Sequence, residues 1–273
     1  MMNPFRDRVA VITGGAAGIG AGLARAFAAR GARLVLADVD AAALAATARL
    51  LEDAGASVLA VPTDVGDRAQ VEALADAAWR HFGGAHIVCN NAGVGVFGEI
   101  AQAPHSDWEY TMRVNFWGVA HGVEVFAPRL IAQRAGGHIV NTASMAGLVG
   151  MQWLGIYCAS KFAVVGLSEA LARELKPHGI GVSVLCPMIV DTQITANSER
   201  LRPTALGGRG VAAAPAANQP PMAGGVIAVD EVAARVVRGI ERGDLYILTH
   251  PEQRDFLKRR ADRLDAMFAP DRW

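Results

Sequence analysis

Six short runs of β-branched and aliphatic residues recur along the first two-thirds of the chain, each followed by a longer, alanine-rich segment. The runs at 8–13 (RVAVIT), 33–38 (RLVLAD), 57–63 (SVLAVPT), 86–90 (HIVCN), 138–142 (HIVNT) and 181–186 (GVSVLC) are apolar almost throughout, not at every second position. A strand with one wet face alternates, whereas a strand covered on both faces does not, so these runs specify a parallel sheet between two layers of helices. The segments at about 19–30, 40–54, 67–82, 105–134 and 154–177 read as those helices. In the last of them Val164, Leu167, Leu171 and Leu175 make one stripe at helical spacing. Repeated strand–helix–strand units with right-handed crossovers give an α/β, doubly wound sheet of about seven strands, expected as a single domain over residues 1–273.

Composition narrows the classes of function. Lys and Arg number 26 and Asp and Glu number 26, so no charge excess marks a nucleic-acid or anionic membrane surface. With 52% hydrophobic residues the chain is too apolar for disorder. Cys89, Cys158 and Cys186 lie far apart without a CxxC pair, and the histidines show no HxxxH spacing, so neither a disulfide framework nor a metal site is expected. The first residues lack an apolar signal core and no later run reaches about 18 uninterrupted apolar residues, which makes a soluble, cytoplasmic protein the expectation.

Residues 193–227 break the pattern, with Pro203, Pro215, Pro220, Pro221 and a Gly207–Gly208 pair. A loop of this length in a compact domain is a functional element or a surface insertion. It leaves the sheet at the carboxyl end of a strand, where such folds bind ligands, and we read it as a substrate lid. A helix at 230–242, a short strand at 245–248 and a charged helix at 252–268, within an extension over 250–273, close the chain.

Directly after the first strand stands Thr13-Gly14-Gly15-Ala16-Ala17-Gly18-Ile19-Gly20. Glycines there allow a tight turn and close approach of backbone to a pyrophosphate, which the following helix attracts with its N–H groups and dipole. Eighteen residues past Gly20, at the end of the second strand, Asp38 can accept hydrogen bonds from an adenosine ribose and would repel a 2′-phosphate. The TGxxxGIG spacing resembles the short-chain dehydrogenase/reductase family, whose fold is Rossmann-like. The likeness extends to Asp64-Val65, to Asn90-Asn91-Ala92-Gly93, and to Pro187-Met188-Ile189-Val190-Asp191-Thr192, where Met188 replaces the usual glycine of PGxVxT. It implies an NAD site built from Gly14, Gly18, Ile19, Gly20, Asp38, Asp64, Val65, Asn91, Val190 and Thr192, joined by Tyr157 and Lys161.

Tyr157 and Lys161 are i and i+4 on one helix, so both project from the same face. Ser144 lies thirteen residues before Tyr157, and Asn115 falls within the preceding helix. Singly, each has an ordinary structural reading; as a set behind a nucleotide motif they read as catalytic. Hydride transfer at a carbinol carbon requires a proton to move at its oxygen, and a tyrosine with a pKa of about 10 needs help to do this near neutrality. A neighbouring ammonium favours the phenolate, so Lys161 is expected to depress the phenol. The family resemblance further implies that Lys161 holds the nicotinamide ribose, that Asn115 keeps a water in the proton relay, and that Ser144 binds the substrate oxygen. Cys158, beside Tyr157, points to another helix face and reads as packing.

Residues 94–99, 145–154 and 193–227 should wall the substrate pocket, with Phe97, Met145, Leu148, Met151 and Trp153 as its apolar surface and Leu201, Leu206, Val211 and Met222 arriving from the loop. Such walls suit a bulky hydrophobic or aromatic secondary alcohol. The segments SERLRP (198–203) and LYILTHPEQRDFL (245–257) resemble bacterial dehydrogenases that oxidise the benzylic Cα alcohol of aryl ethers. An NADPH-dependent carbonyl or 3-oxoacyl reductase is the alternative, but Ala17 and Val39 stand where a basic residue would be expected. A catalytically silent nucleotide sensor is the other alternative. The resemblance implies a homo-oligomer, dimer or tetramer, and Leu257, Ala261, Leu264 and Phe268 form a narrow apolar seam on the terminal helix that needs a cover, from its own subunit or another.

Overall fold

A computed structural model describes residues 4–207 and 224–269. In chain order the elements are β1 (Val9–Thr13), α1 (Gly18–Ala28), β2 (Arg33–Asp38), α2 (Ala41–Asp53), β3 (Val58–Pro62), α3 (Arg68–Phe82), β4 (Ile87–Asn90) and α4 (His105–Met112). They continue as α5 (Gly118–Gln133), β5 (Gly137–Thr142), α6 (Gly155–Leu175), β6 (Ile180–Cys186), α7 (Ile194–Arg200), α8 (Val229–Arg242), β7 (Tyr246–Leu248) and α9 (Arg254–Asp265). The seven strands form one sheet in the order β3-β2-β1-β4-β5-β6-β7, every pair parallel.

Why the strands read as unbroken apolar runs is visible in β1. Ala10 and Ile12 pack with α1, α2 and α8 on one face, while Val9 and Val11 pack with α3, α5 and α6 on the other. Successive side chains point to opposite faces, so a sheet roofed on both sides favours apolar residues at every position and admits a polar one only where a partner meets it. Winding proceeds outward from β1 through β2 to β3, then returns to β4 on the other side of β1. This reversal opens a crevice at the carboxyl ends of β1 and β4, the place where such sheets take a ligand. α6 with the turn after it, Gly155–His178, is long and apolar enough to cross a membrane; here it packs on the sheet and carries Tyr157 and Lys161.

The single helix expected over 105–134 is divided. Between α4 and α5 the residues Arg113–Trp117 form a wide π-turn. Asn115 sits in it, fully buried, and its amide reaches Val94: Oδ1 accepts from the Val94 N–H at 2.8 Å and Nδ2 donates to the Val94 carbonyl at 3.0 Å. A π-turn swells the helix by one residue, and such turns gather at functional sites.

The segment expected as an irregular loop from 193 begins as a helix, α7, followed by a short turn at Thr204–Leu206. It is anchored from below. The Ser198 hydroxyl accepts from the Gly95 N–H at 2.8 Å, and the Tyr110 hydroxyl donates to the Ser198 carbonyl at 3.0 Å. Arg202 pairs with Asp107 at 2.7 Å with both side chains under 10% exposed, and its guanidinium lies over the Tyr110 ring. Residues 208–223 of the expected lid, including Val211 and Met222, lie outside the described residues. The chain re-enters where Ile227 bridges to Val190. Along the expected terminal seam exposure is uneven: Leu257 is half-buried, whereas Leu264 is 52% and Phe268 71% exposed.

Candidate active site

A cavity of about 510 Å³ runs along the carboxyl ends of the strands. Of the residues expected to bind a dinucleotide, Gly14, Gly18, Ile19, Asp38, Asp64, Val65, Asn91, Val190 and Thr192 line it, together with Ser144, Tyr157 and Lys161. Gly20 and Asn115 stand behind the wall. Gly14 has φ +65°, and a Cβ there would come within 2.9 Å of the Ala92 Cα. A side chain at Gly20 would collide with the Gly14 carbonyl, so the glycine run is shaped by both turn geometry and close approach. α1 begins at Gly18 on the cavity wall and no side chain caps it, so its first N–H groups are free of the usual Ser or Asp partner. A glycine cradle opening onto an uncapped helix N-terminus suits the pyrophosphate of a dinucleotide.

The NNAG segment ties this cradle to the sheet. Thr13 Oγ1 accepts from the N–H groups of Asn91 and Ala92 at 2.9 and 3.1 Å. The Asn91 side chain donates to the Thr13 carbonyl at 3.0 Å and accepts from the Thr142 hydroxyl at 3.2 Å. Asn90 donates to Asn141 at 2.9 Å, and Asn141 to Ser168 at 3.0 Å. β1, β4, β5 and α6 are thereby locked in register beneath the cavity.

At one end of the groove the Asp38 carboxylate accepts from the N–H groups of Ala16 at 3.1 Å and Asp40 at 3.0 Å, which aims it across the mouth. Asp64 is not a free acceptor there. Arg113 grips both of its oxygens, at 3.1 and 2.8 Å, and its Oδ1 also accepts from the Gly66 N–H. This pair joins β3's end to the π-turn.

At the other end Tyr157, Ser144 and Lys161 come together. The Ser144 hydroxyl donates to the Pro187 carbonyl at 3.3 Å and hydrogen-bonds Tyr157. Lys161 is 2% exposed, its Nζ donates to the Thr142 carbonyl at 2.9 Å, and it lies 5.6 Å from the centre of the Tyr157 ring. Asn115 reaches this group through Ser160, donating to its Oγ at 3.2 Å, while Ser160 donates to the Tyr157 carbonyl at 2.7 Å. The expected depression of the phenol by Lys161 is not what the site shows. Loss of hydration pushes Tyr157 up to about 12, with only the Ser144 hydrogen bond opposing. The same burial brings Lys161 down to about 8. Desolvation penalises phenolate and ammonium alike, and it is the largest influence on both groups here.

The substrate walls differ from expectation in part. Phe97, Met151 and Leu201 line the cavity, joined by Leu154, Met188 and Ile194. Met145 is instead buried in the core at 1% exposure, Leu148 packs against the cluster under α6, and Trp153 lies off the cavity wall. Cys158 is buried and its sulfur accepts from the Met151 N–H, a packing role that leaves its thiol raised by burial. Arg113, Tyr110, Ser198 and Arg200 escaped the sequence reading, because each acts on a partner dozens of residues away and no local spacing marks it.

The profile of the short chain dehydrogenase family matches residues 8–202. A short chain dehydrogenase/reductase from Burkholderia phymatum, solved in complex with NAD, is 44% identical with a TM-score of 0.91, covering 99% of this chain and 98% of its own. A C alpha-dehydrogenase from Sphingobium sp. is 35% identical, over 98% of this chain and 89% of the relative. A CLA biosynthesis dehydrogenase/reductase from Lactiplantibacillus plantarum is 34% identical, over 99% and 97%. With the family profile over residues 8–202 and these relatives similar along nearly the whole chain, the chain belongs to the short-chain dehydrogenase/reductase family of oxidoreductases.

Proposed function

We propose that this protein is an NAD-dependent dehydrogenase that interconverts a bulky hydrophobic or aromatic secondary alcohol and its ketone, with Tyr157 carrying the proton. The observation that carries this reading is the convergence of Tyr157, Ser144 and Lys161 at the end of a groove that the apolar side chains of Phe97, Met151, Leu154, Met188 and Ile194 also wall. The NAD-bound relative supports the cofactor, and the C alpha-dehydrogenase supports the substrate class. Gly14, Gly18, Asp38, Asn91, Val190 and Thr192 would hold the dinucleotide, which when bound supplies the hydride acceptor. Ser144 orients the substrate oxygen and stabilises charge developing on it. Tyr157 takes or returns the hydroxyl proton. Lys161, buried beside the Tyr157 ring and tied to Thr142, borders the nicotinamide end of the groove, and Asn115 fixes the Val94 backbone that borders the substrate. Exposed apolar side chains on and just after α9, Leu264 and Met267, support assembly into two or four copies.

Turnover by purified protein with NAD or NADP over a panel of aryl and alkyl secondary alcohols tests the reading. We expect NADH formation with bulky aryl alcohols and a kcat/KM at least ~10-fold higher for NAD, because Asp38 opposes a 2′-phosphate. Asp38→Ala should narrow that gap. A preference of the natural protein for NADP would refute the cofactor assignment.

The raised phenol sets a pH dependence. Alcohol oxidation needs Tyr157 as a base, and below a pKa of about 12 its deprotonated fraction grows with pH. Oxidation should therefore accelerate from about pH 7 to 9, while ketone reduction, which needs the phenol protonated, should stay level or decline. Neutralisation of Lys161 near 8 should bend the rising limb. Rate profiles in both directions check this, and a pH-independent oxidation rate over that range would contradict it.

A further inference from the structure

The chain that follows β6 does not remain beside β6. Arg200, the last residue of α7, ion-pairs with Asp40 at 2.8 Å, and Asp40 caps α2 just beyond the end of β2. In the sheet β2 and β6 are separated by β1, β4 and β5, four strand spacings or about 19 Å. A contact between these two places has to pass over the carboxyl ends of the intervening strands, where Gly14, Asn91 and Thr142 line the cavity. α7 therefore lies across the groove. Its far end, with Asn197, Arg200 and Leu201, borders the same cavity as Asp38 and Val39.

Both partners are held for this contact. One Asp40 oxygen accepts from the Ala43 N–H at 3.1 Å, leaving the other for the guanidinium. Arg200 is also bonded to Asn197 at 3.2 Å, and the helix beneath it is pinned by Ser198 and by the buried Arg202–Asp107 pair. Asp40 is 15% and Arg200 55% exposed, so the bridge sits at the surface of the groove with water on its outer side.

We propose that Arg200 and Asp40 form a clasp over the half of the groove marked by Asp38, which a bound dinucleotide must open in order to leave. The clasp rests on the reading of this groove as a dinucleotide site. It makes Arg200 a positioning residue for cofactor retention, contributed by the same helix that walls the substrate pocket through Ile194.

Release of NADH, followed by its fluorescence in stopped flow, tests the clasp in the natural protein, Arg200→Ala, Asp40→Asn and the double variant. Asparagine keeps the α2 cap while removing the charge. A half-exposed ion pair corresponds to a modest factor, so each single variant should release NADH about two- to fivefold faster, and the double variant no faster than either single. Salt near ~1 M should bring the natural protein towards the variants and leave the variants unmoved. Unchanged release from Arg200→Ala overturns the clasp. Faster release from Arg200→Ala without a matching change in Asp40→Asn also overturns it, since Arg200 would then act on the dinucleotide directly. Failure of the natural protein to bind NADH at all overturns the cofactor reading instead.

Discussion

Replacing Tyr157 by phenylalanine should lower turnover by about 10²- to 10⁴-fold, the range that positioned acid–base groups supply. The ring remains, so the contact with Lys161 and the packing of α6 persist, and only the hydroxyl that meets Ser144 is lost. The loss should fall on kcat, with NADH affinity little changed, because a group acting on the proton in flight contributes to the transition state and not to the ground state. Steady-state kinetics together with NADH titration measure both halves of the statement. A folded Phe variant with near-natural turnover would remove Tyr157 from the mechanism.

The second large effect is on stability. Arg202 and Asp107 are both under 10% exposed, so Arg202→Ala strands a buried carboxylate without its guanidinium partner. Breaking such a pair costs about 3–5 kcal/mol, against 0–1 for a bridge at the surface. At about 2–4 °C per kcal/mol for a chain of this size, Tm should fall by roughly 6–20 °C. Joint replacement by Arg202→Met and Asp107→Leu should recover much of that loss, since the cost is the uncompensated charge and not the absent attraction. Calorimetry on the three proteins decides it. A drop of less than about 1 kcal/mol in Arg202→Ala would mean that α7 does not depend on this anchor.

The sheet was legible because burial on both faces leaves a direct mark in composition, and the nucleotide cradle was legible because glycine is required where backbone must approach backbone, as at Gly14 and Gly20. Tyr157 and Lys161 announced themselves by helical spacing. What stayed hidden is long-range. Arg113 finds Asp64 across 49 positions and Arg202 finds Asp107 across 95, and a surface-type arginine carries no local sign of either partner. Met145, Leu148 and Trp153 sit in the right segment, but which of a run of apolar side chains faces the groove is decided by the turn at 145–147, not by their hydrophobicity. α7 escaped notice because its seven residues, ITANSER, bury only Ser198 and so show no apolar stripe.

The π-turn did leave a trace. Asp107, Thr111, Asn115 and Val119 are all buried and fall at three successive steps of four. In a regular helix that spacing would carry the buried stripe about 120° around the axis. The wider turn at Arg113–Trp117 takes up the surplus, so that α4 and α5 present their inner sides to the same sheet. It works as a phase adjuster between two otherwise independent apolar frames. Deleting a single residue from 113–117 would let α4 run on into α5 as a regular helix in nearly the same phase, about 20° off over the eleven remaining steps, so Val125, Phe126 and Leu130 would still face the sheet. The packing of α5 therefore does not require the extra residue; what it sustains is the wide turn from which Asn115 reaches both backbone groups of Val94.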